Sequence, residues 1–286
     1  MLRNPADAFA VILWITCIGQ SACILDWDEQ PNAATSASQV EILADPGDTL
    51  LWFAADRGVE TTQEGRVKIW ADQSREHCDA KSSSPTSGPR VVERDGRPVV
   101  ELDGTTELRL ATVPAFTELS FFAVVSSSPD ETRRCPSILH LSNMRSEISQ
   151  TDRLDIRRQK QELLYQSGGD DRVTPGDGDP EGAFPPSSLH LLGVVHSAQG
   201  ADQVAQLRID ARELRSQVMK NPLVVVDRDY NFIGHNHYHN DNSAEESCDA
   251  YSGQIAELLL FPRVLPDDER AALEHSLAQK WGVELW

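Results

Sequence analysis

The sequence has little positive charge and few cysteines for its length. Its 286 residues contain 26 Lys and Arg against 45 Asp and Glu, which leaves a formal net charge of −19. A surface of this sign repels the phosphate backbone and argues against a nucleic-acid partner. Five cysteines are too few for a disulfide scaffold. A hydrophobic content of 40% excludes wholesale disorder, so one or two globular domains are expected.

Familiar catalytic motifs are missing as well. The sequence contains no G-x-S-x-G nucleophile elbow, no H-E-x-x-H zinc motif, no C-x-x-C pair and no phosphate-binding G-x-x-x-x-G-K-[ST] loop. We therefore predict a protein that is not an enzyme.

No apolar run is long enough to cross a bilayer as a helix. The run at 8–18 is shorter than the roughly 20 residues that a spanning helix needs, but its length suits the apolar part of a secretory signal. Arg3 supplies the positive charge that precedes such a run. Residues 1–22 are therefore predicted to be a signal peptide.

A lipid anchor is predicted directly after this signal. Ser21 and Ala22 precede Cys23, and the arrangement resembles the lipobox of bacterial lipoproteins, in which the cysteine takes the lipid. Ordinary cleavage and an uncleaved anchor are the alternatives, and all three place the protein in the cell envelope or outside the cell. Residues 23–48 are polar and small, which is typical of a flexible tether.

Short apolar or alternating runs of strand length recur over residues 49–286. Turn signals such as Asp95-Gly96 and Asp103-Gly104 separate them. This pattern predicts one all-β domain, a sandwich or jelly roll. The predicted strands lie at 50–53, 67–70, 91–93, 98–102, 119–126, 138–141, 154–157, 189–196, 204–209, 223–226 and 253–261.

One helix is predicted near the C-terminus. Pro266 suits its first turn, and Leu273, Leu277 and Trp281 recur at four-residue spacing on one face. Gly282 follows where a helix end is expected. The apolar stripe predicts a short helix packed on the sandwich.

The C-terminal segment contains Tyr-Ser-Gly-Gln-Ile-Ala-Glu at 251–257, Arg-Val-Leu at 263–265 and Lys-Trp-Gly at 280–282. With these motifs, residues 251–285 resemble the signature of bacterial laminin-G-like, concanavalin A-like jelly-roll domains. In that family a Phe/Tyr-x-Gly-x-Ile-Ala-Glu strand leads through an Arg-x-Leu turn into a helix that ends in Lys-aromatic-Gly. Similar stretches occur in the same order at 51–56, 67–74 and 96–104. At 207–216 the chain resembles the family's hairpin, with Ala211 in place of glycine. The resemblance implies a concanavalin A-like antiparallel β-sandwich.

Members of this fold include lectins, glucanases and adhesion modules, so the resemblance implies little about activity. The glucanase branch carries a strand with paired carboxylates, and no comparable strand occurs here. Glu257 is a lone acid and is interpreted as structural. We expect a non-catalytic, exported module that binds a glycan or a cell-surface protein through loops at the rim of the sandwich. A glycoside hydrolase with an unrecognised carboxylate pair is the alternative, and a purely structural envelope protein is a third reading.

The most distinctive local sequence is GHNHYHNDN at 234–242. Tyr238 offers a ring for sugar stacking, and Asn236, Asn240 and Asp241 offer hydrogen bonds. These four residues are the predicted ligand-binding set. Alternating imidazoles could also bind zinc, copper or nickel, which makes His235, His237 and His239 the candidate metal ligands. A polar connecting loop is the plainer interpretation of the histidines, and no cofactor is predicted.

An acidic segment at 167–182 imitates the start of an EF-hand loop. The EF-hand interpretation fails because Ser188 stands where a bidentate Glu is required. A weaker calcium site remains an option, alongside a solvated acidic loop, and its candidate ligands are Asp170, Asp171, Asp177 and Asp179.

In the resembled fold, the strands at 119–126 and 253–261 run antiparallel in one sheet. Cys135 follows the first strand and Cys248 precedes the second, so the resemblance implies that both lie at the same end of the sandwich. A Cys135–Cys248 disulfide is therefore predicted. Pairing of Cys78 with either of them, or no disulfide, are the alternatives.

Overall fold

The chain alternates between short strands and turns, and a helix follows the last strand. The computed structural model describes residues 44–45, 47–84, 86–129, 136–143, 152–159, 162–169, 171–175, 186–199, 202–236 and 248–286. All of them belong to one unit of the chain, Ala33–Trp286. The strands are β1 Leu51–Ala54, β2 Val59–Thr61, β3 Val67–Trp70, β4 Ala80–Lys81, β5 Arg90–Arg94, β6 Arg97–Asp103, β7 Leu108–Leu110, β8 Leu119–Ser127, β9 Ser137–Leu141, β10 Leu154–Gln159, β11 Glu162–Ser167, β12 Asp171–Val173, β13 His190–Gln199, β14 Asp202–Ile209, β15 Arg212–Met219, β16 Asn231–Ile233 and β17 Ser252–Phe261, and the helix α1 is Asp267–Trp281.

Eight strands form the first sheet, named sheet I. Its order is β15-β14-β13-β8-β17-β6-β5, and β1 also pairs with β17. The long strand β17 is central, because β8 pairs along one of its edges while β6 and then β1 pair along the other. Every one of these pairings is antiparallel.

Nine strands form the second sheet, named sheet II. Its order is β12-β11-β10-β9-β16-β7-β4-β3-β2, again with antiparallel neighbours. Since successive side chains of a strand point to opposite faces, each sheet contributes one apolar face to a shared core. The result is a two-sheet antiparallel sandwich, which confirms the predicted fold class.

Continuous apolar runs occupy the central strands of sheet I. All nine positions of β8 are buried. In β17, the run from Leu258 to Leu260 is fully buried. Phe53 of β1 meets Trp70 of β3 edge to face, with ring centroids 5.6 Å apart, so aromatic contacts also hold the two sheets together.

The C-terminal helix packs on β8 and β13 of sheet I. Leu273, Leu277 and Trp281 are buried on it, which confirms the predicted stripe. Pro266 occupies the N-cap position without a capping hydrogen bond, and Gly282 ends the helix in the left-handed conformation at φ 71°. No helix in the described ranges is long and apolar enough to cross a membrane.

One strand prediction is wrong. The apolar run at 223–226 forms no strand, although Leu223 is buried. The buried guanidinium of Arg228 explains the difference, because it donates to the carbonyls of Val224 (2.9 Å) and Val226 (3.3 Å). These carbonyls are satisfied by a side chain rather than by a neighbouring strand.

The hairpin between β14 and β15 turns through two non-glycine residues with positive φ. Asp210 has φ 50° and Ala211 has φ 67°. The chain therefore makes here the kind of tight turn that normally uses glycine. An alanine in this region costs about 1 kcal/mol or more, because its Cβ approaches the backbone carbonyl.

Replacing Ala211 by glycine is expected to raise the free energy of unfolding by about 1 kcal/mol, since the strain of the positive φ disappears. Urea unfolding measures the change. The matched control is Ala205→Gly in the middle of β14, which has no such strain and should lower the stability. An Ala211→Gly chain no more stable than the parent would contradict the assignment of strain to this turn.

Two cysteines lie among the described residues, and Cys78 is a buried free thiol. Burial, together with the carboxylates of Asp72, Glu76 and Asp79, raises the pKa of the Cys78 thiol to about 12. The alternatives that pair Cys78 are therefore wrong. The implied antiparallel pairing of β8 with β17 is confirmed, but Cys135 lies outside the described residues and its bond to Cys248 stays a prediction.

Candidate functional site

The outer face of sheet II carries a row of polar and aromatic side chains across four neighbouring strands, β10, β9, β16 and β7. Phe232 of β16 is opposite His140 of β9, and His140 is opposite Asp155 of β10. The residues next to them in each strand, Ile233, Leu139 and Ile156, belong to the core between the sheets. By alternation, the row must face away from the core. We name it the polar face and define it by Arg109, Tyr230, Phe232, His140 and Asp155.

Asp155 is the centre of the polar face and is completely buried. One carboxylate oxygen, Oδ1, lies 2.7 Å from Nδ1 of His140 and accepts a hydrogen bond from the hydroxyl of Ser137 at 3.2 Å. The other oxygen, Oδ2, lies 3.3 Å from Nε of Arg153 and accepts from the amide of Asn236 at 3.2 Å. Four side chains from three segments of the chain are therefore positioned by one carboxylate.

The charge state of Asp155 follows from these partners. Burial alone would raise the pKa of the carboxyl group, but the charge and hydrogen bond of His140 and the charges of Arg153 and Arg157 outweigh it. Together they lower the pKa of Asp155 to about 2. The group is a permanent carboxylate that fixes the ring of His140 by accepting its Nδ1 hydrogen. It is unsuited to act as an acid at neutral pH.

Aromatic rings extend the polar face toward the surface. Phe232 lies between His140, at a centroid distance of 6.4 Å, and Tyr230, at 4.8 Å in an edge-to-face contact. Phe232 is buried, whereas Tyr230 is half-buried and Arg109, opposite Phe232 in β7, is exposed. A partly accessible ring beside charged and polar groups is the arrangement that sugar rings stack against.

The predicted segment 234–242 begins at this face. Gly234 follows β16 with φ +88°, and a Cβ there would lie 2.0 Å from Cδ2 of Leu102, so only glycine fits this turn. His235 is half-buried with Nδ1 3.5 Å from Oε2 of Glu107. Asn236 is buried and its amide donates to Asp155, so the structure places this predicted ligand group inside the protein.

The other predicted residues of this segment, Tyr238, Asn240, Asp241, His237 and His239, lie outside the described residues. Their roles in ligand or metal binding stay predictions. Over the ranges that the structure does describe, no three His, Cys, Asp or Glu side chains come together as a metal site.

Of the four acidic residues predicted as calcium ligands, only Asp171 lies among the described residues. Asp170, Asp177 and Asp179 lie outside the described ranges. Asp171 is buried in β12 and accepts a hydrogen bond from the backbone of Asn221 at 2.8 Å.

A pair of carboxylates is relevant to the hydrolase alternative. Glu101 and Asp103 alternate on β6 and line a cavity of about 440 Å³. Burial would raise the pKa of Asp103, but hydrogen bonds from Thr105 and Thr106 outweigh it and lower that pKa. A glycosidase needs one carboxyl group with a raised pKa as the acid, and Asp103 does not meet this requirement.

The residues that build the polar face were not predicted from the sequence as a site. Asp155 and Arg157 do alternate with apolar neighbours in Leu154-Asp155-Ile156-Arg157, which could have marked a strand with a charged outer side. The partnership of His140 with Asp155 depends on the pairing of β9 with β10 and has no local signal.

Comparisons with known proteins support the fold assignment and nothing beyond it. No protein-family model matches the chain, and no curated protein matches it. Domain 4 of AbnA, a GH43 extracellular arabinanase from Geobacillus stearothermophilus solved in complex with arabinotriose, superposes with a TM-score of 0.55 at 10% identity. The match covers 79% of this chain and 98% of that domain.

A second solved structure, Trypanosoma rangeli sialidase in complex with sialic acid, gives a TM-score of 0.55 at 11% identity. The match covers 87% of this chain but only 38% of the sialidase, so the chain spans well under half of that enzyme. This chain has the same β-sandwich fold. At such low identity the likeness concerns the fold alone, and the finer resemblance to laminin-G-like domains stays a prediction.

Proposed function

We propose that the chain is an exported module that binds oligosaccharides through the polar face of sheet II and does not cleave glycosidic bonds. The observation that carries the proposal is the half-buried ring of Tyr230, held edge to face against Phe232 at 4.8 Å, with exposed Arg109 opposite Phe232 on the neighbouring strand. A fixed ring offers a stacking surface at little entropic cost, and the charged groups beside it can bond to sugar hydroxyls. The fold shared with a domain solved in complex with arabinotriose is consistent with this use.

The charge of the chain narrows the ligand class. A net charge of −19 disfavours polyanionic glycans through long-range repulsion. Neutral oligosaccharides are therefore the proposed ligands.

Binding without glycosidic cleavage is supported by the carboxylates. Asp155 has a pKa of about 2 and Asp103 a lowered pKa, so neither is suited to protonate a leaving group. The hydrolase alternative would need the acid to come from elsewhere in the chain.

Export is part of the same proposal. The predicted signal peptide 1–22 and the lipid-attachment residue Cys23 both lie outside the described residues. Support comes from their sequence pattern and from the fold shared with a domain of an extracellular arabinanase. A lipid anchor at Cys23 would hold the sandwich at the membrane.

Calorimetric titration with arabinotriose, neutral hexose oligosaccharides and a sialylated trisaccharide tests the proposal. We expect a neutral oligosaccharide to bind, and Tyr230→Ala to weaken its binding about tenfold through lost stacking. Tyr230→Phe keeps the ring and should retain most of the affinity.

Trp286→Ala is the matched control, because it removes an aromatic side chain that is 77% exposed and lines a cavity beside sheet I. Its affinity should equal that of the parent chain. If every sugar fails to bind at millimolar concentration, or if only Trp286→Ala loses binding, the proposed face is wrong.

A further inference from the structure

A second cavity, of about 500 Å³, lies beside sheet I, remote in sequence from the polar face. Its walls come from the start of β13, the β14–β15 turn, the β5–β6 turn and the residues that follow α1. Ser188, His190 and Asp210 all line it. The glycan proposal uses none of these groups.

These three side chains form a continuous chain of hydrogen bonds. The hydroxyl of Ser188 lies 2.8 Å from Nε2 of His190, and Nδ1 of His190 lies 2.7 Å from Oδ2 of Asp210. The other oxygen of Asp210 accepts the backbone N–H of Leu191 at 2.8 Å. With the ring hydrogen on Nδ1, the imidazole donates to Asp210, and its Nε2 is left to accept the hydrogen of the Ser188 hydroxyl.

The three side chains become more buried from Ser188 to His190 to Asp210, as nucleophilic catalysis requires. Ser188 is exposed in the cavity wall, the side chain of His190 is 13% exposed, and that of Asp210 is 7% exposed. An accessible hydroxyl, an enclosed base and a more deeply enclosed carboxylate are arranged in the order of a serine hydrolase triad.

We propose that Ser188, His190 and Asp210 form a hydrolytic site for small neutral carboxylic esters. Ser188 Oγ attacks the ester carbonyl carbon while Nε2 of His190 takes the hydroxyl proton. The carbon–oxygen bond to the alcohol then breaks, and the imidazolium returns that proton to the leaving alkoxide. Water attacks the acyl-serine by the same proton route, which releases the carboxylic acid and restores Ser188.

Two backbone positions at the triad, one directly before Ser188 and one at Asp210, have uncommon conformations. Ser187, directly before the nucleophile, has φ 76°, and Asp210 has φ 50°. Both are fixed by other contacts, since the N–H of Ser187 donates to Ser127 at 3.0 Å and that of Asp210 donates to Leu191 at 2.8 Å. Strain that is held in place by surrounding contacts is typical of functional sites.

Arg94 provides positive charge in the wall of the same cavity. Its guanidinium lines the same cavity, donates to Gln254 Oε1 at 2.7 Å and to Ser126 Oγ at 3.1 Å, and also donates to the carbonyl of Ser187. A cation fixed at this point would stabilise the negative charge that develops on the ester oxygen.

The other cavity walls indicate the substrate class. Leu189, Trp281, Leu285 and Trp286 are apolar and would accept a short acyl or alkyl group. Asp95 and Glu284 line the same cavity and disfavour an anionic substrate. A small uncharged ester fits both conditions.

The test uses the full chain with p-nitrophenyl acetate as substrate and a fluorophosphonate as the covalent probe. We expect hydrolysis above the buffer rate, and mass spectrometry should locate the phosphonyl group on Ser188. Ser188→Ala should lose the label and reduce the rate at least 100-fold, and Asp210→Asn should reduce the rate by a similar factor. Ser216→Ala, which changes an exposed serine of β15, is the matched control and should behave as the parent chain.

A thermal melt of each variant shows whether it folds, and Ser188, being exposed, can lose its hydroxyl without opening the core. No turnover and no label on the folded parent chain would overturn the proposal, as would a label on another residue with full activity in Ser188→Ala. These outcomes are independent of glycan binding, because the polar face and the triad share no residue.

Discussion

Replacing Glu257 by leucine is expected to destabilise the folded chain by about 3–5 kcal/mol. Glu257 lies in β17 and is completely buried. Its Oε1 accepts the indole N–H of Trp52 at 2.8 Å, and its Oε2 accepts the indole N–H of Trp281 at 2.6 Å and the ammonium of Lys280 at 2.8 Å. One carboxylate therefore ties β1, β17 and α1 together.

The loss of folding free energy comes mainly from the hydrogen-bond and ion-pair partners that the substitution leaves unpaired. Lys280 would keep only Asp56, at 3.1 Å, as its carboxylate partner, and two indole N–H groups would be left buried without an acceptor. Urea unfolding of the parent and the variant measures the difference. Glu257→Gln, which retains an acceptor oxygen but not the charge, should lose less than the leucine variant.

A double replacement, Glu257→Leu with Lys280→Met, separates charge from packing. The double variant has no buried lysine ammonium left without its partner. We therefore expect it to recover part of the stability that Glu257→Leu loses. A Glu257→Leu chain within 1 kcal/mol of the parent would contradict the structural role assigned to this carboxylate.

Replacing Asp155 by asparagine is the second substitution with a large expected effect, a loss of about 3 kcal/mol at neutral pH. The asparagine would occupy the same space but would leave the cations of Arg153 and Arg157 without their buried counter-charge. Because Asp155 also holds His140 and Asn236, the polar face should lose its geometry together with its stability.

The pH dependence gives this prediction a distinct signature. The folded pKa of Asp155, about 2, lies below the ordinary value of 3.8, so its contribution to stability is complete above pH 4. That contribution, about 2 kcal/mol, is lost as the pH falls from about 4 to 2. Urea unfolding of both chains at pH 6 and pH 2.5 should show the gap between them narrowing in acid. A gap that stays constant would mean that Asp155 is not the ionised centre of the cluster.

The fold was largely predictable from the sequence because its signals are local. Apolar runs of strand length located β8 and β17, and Pro266, the Leu273–Leu277 spacing and Gly282 located the helix with its end. The short strands β2, β4, β7, β12 and β16 were missed, since two or three residues carry no measurable period. The six-residue strand β11 was missed as well, and its length does not explain that miss. The false strand at 223–226 shows the same limit, because the competing donor, Arg228, follows the run and acts through a folded contact.

The functional residues were much less predictable, and the reason is distance along the chain. Asp155 and His140 are brought together by pairing of β9 with β10, and Asp210 reaches His190 through the β14–β15 turn. Pairs of this kind have no characteristic separation along the sequence by which they could be predicted. The sequence did single out His235 as a candidate metal ligand and Asn236 as a candidate ligand-binding residue, but not that the buried amide of Asn236 would donate to Asp155.

The most direct test of the account is a crystal of the chain soaked with the oligosaccharide that binds best in titration. We predict that a sugar ring lies against Tyr230, with its hydroxyls within hydrogen-bond distance of Arg109 and of the Glu107–His235 pair. Sugar density confined to sheet I, or to any surface from which Tyr230 is absent, would contradict the assignment of the polar face as the binding site.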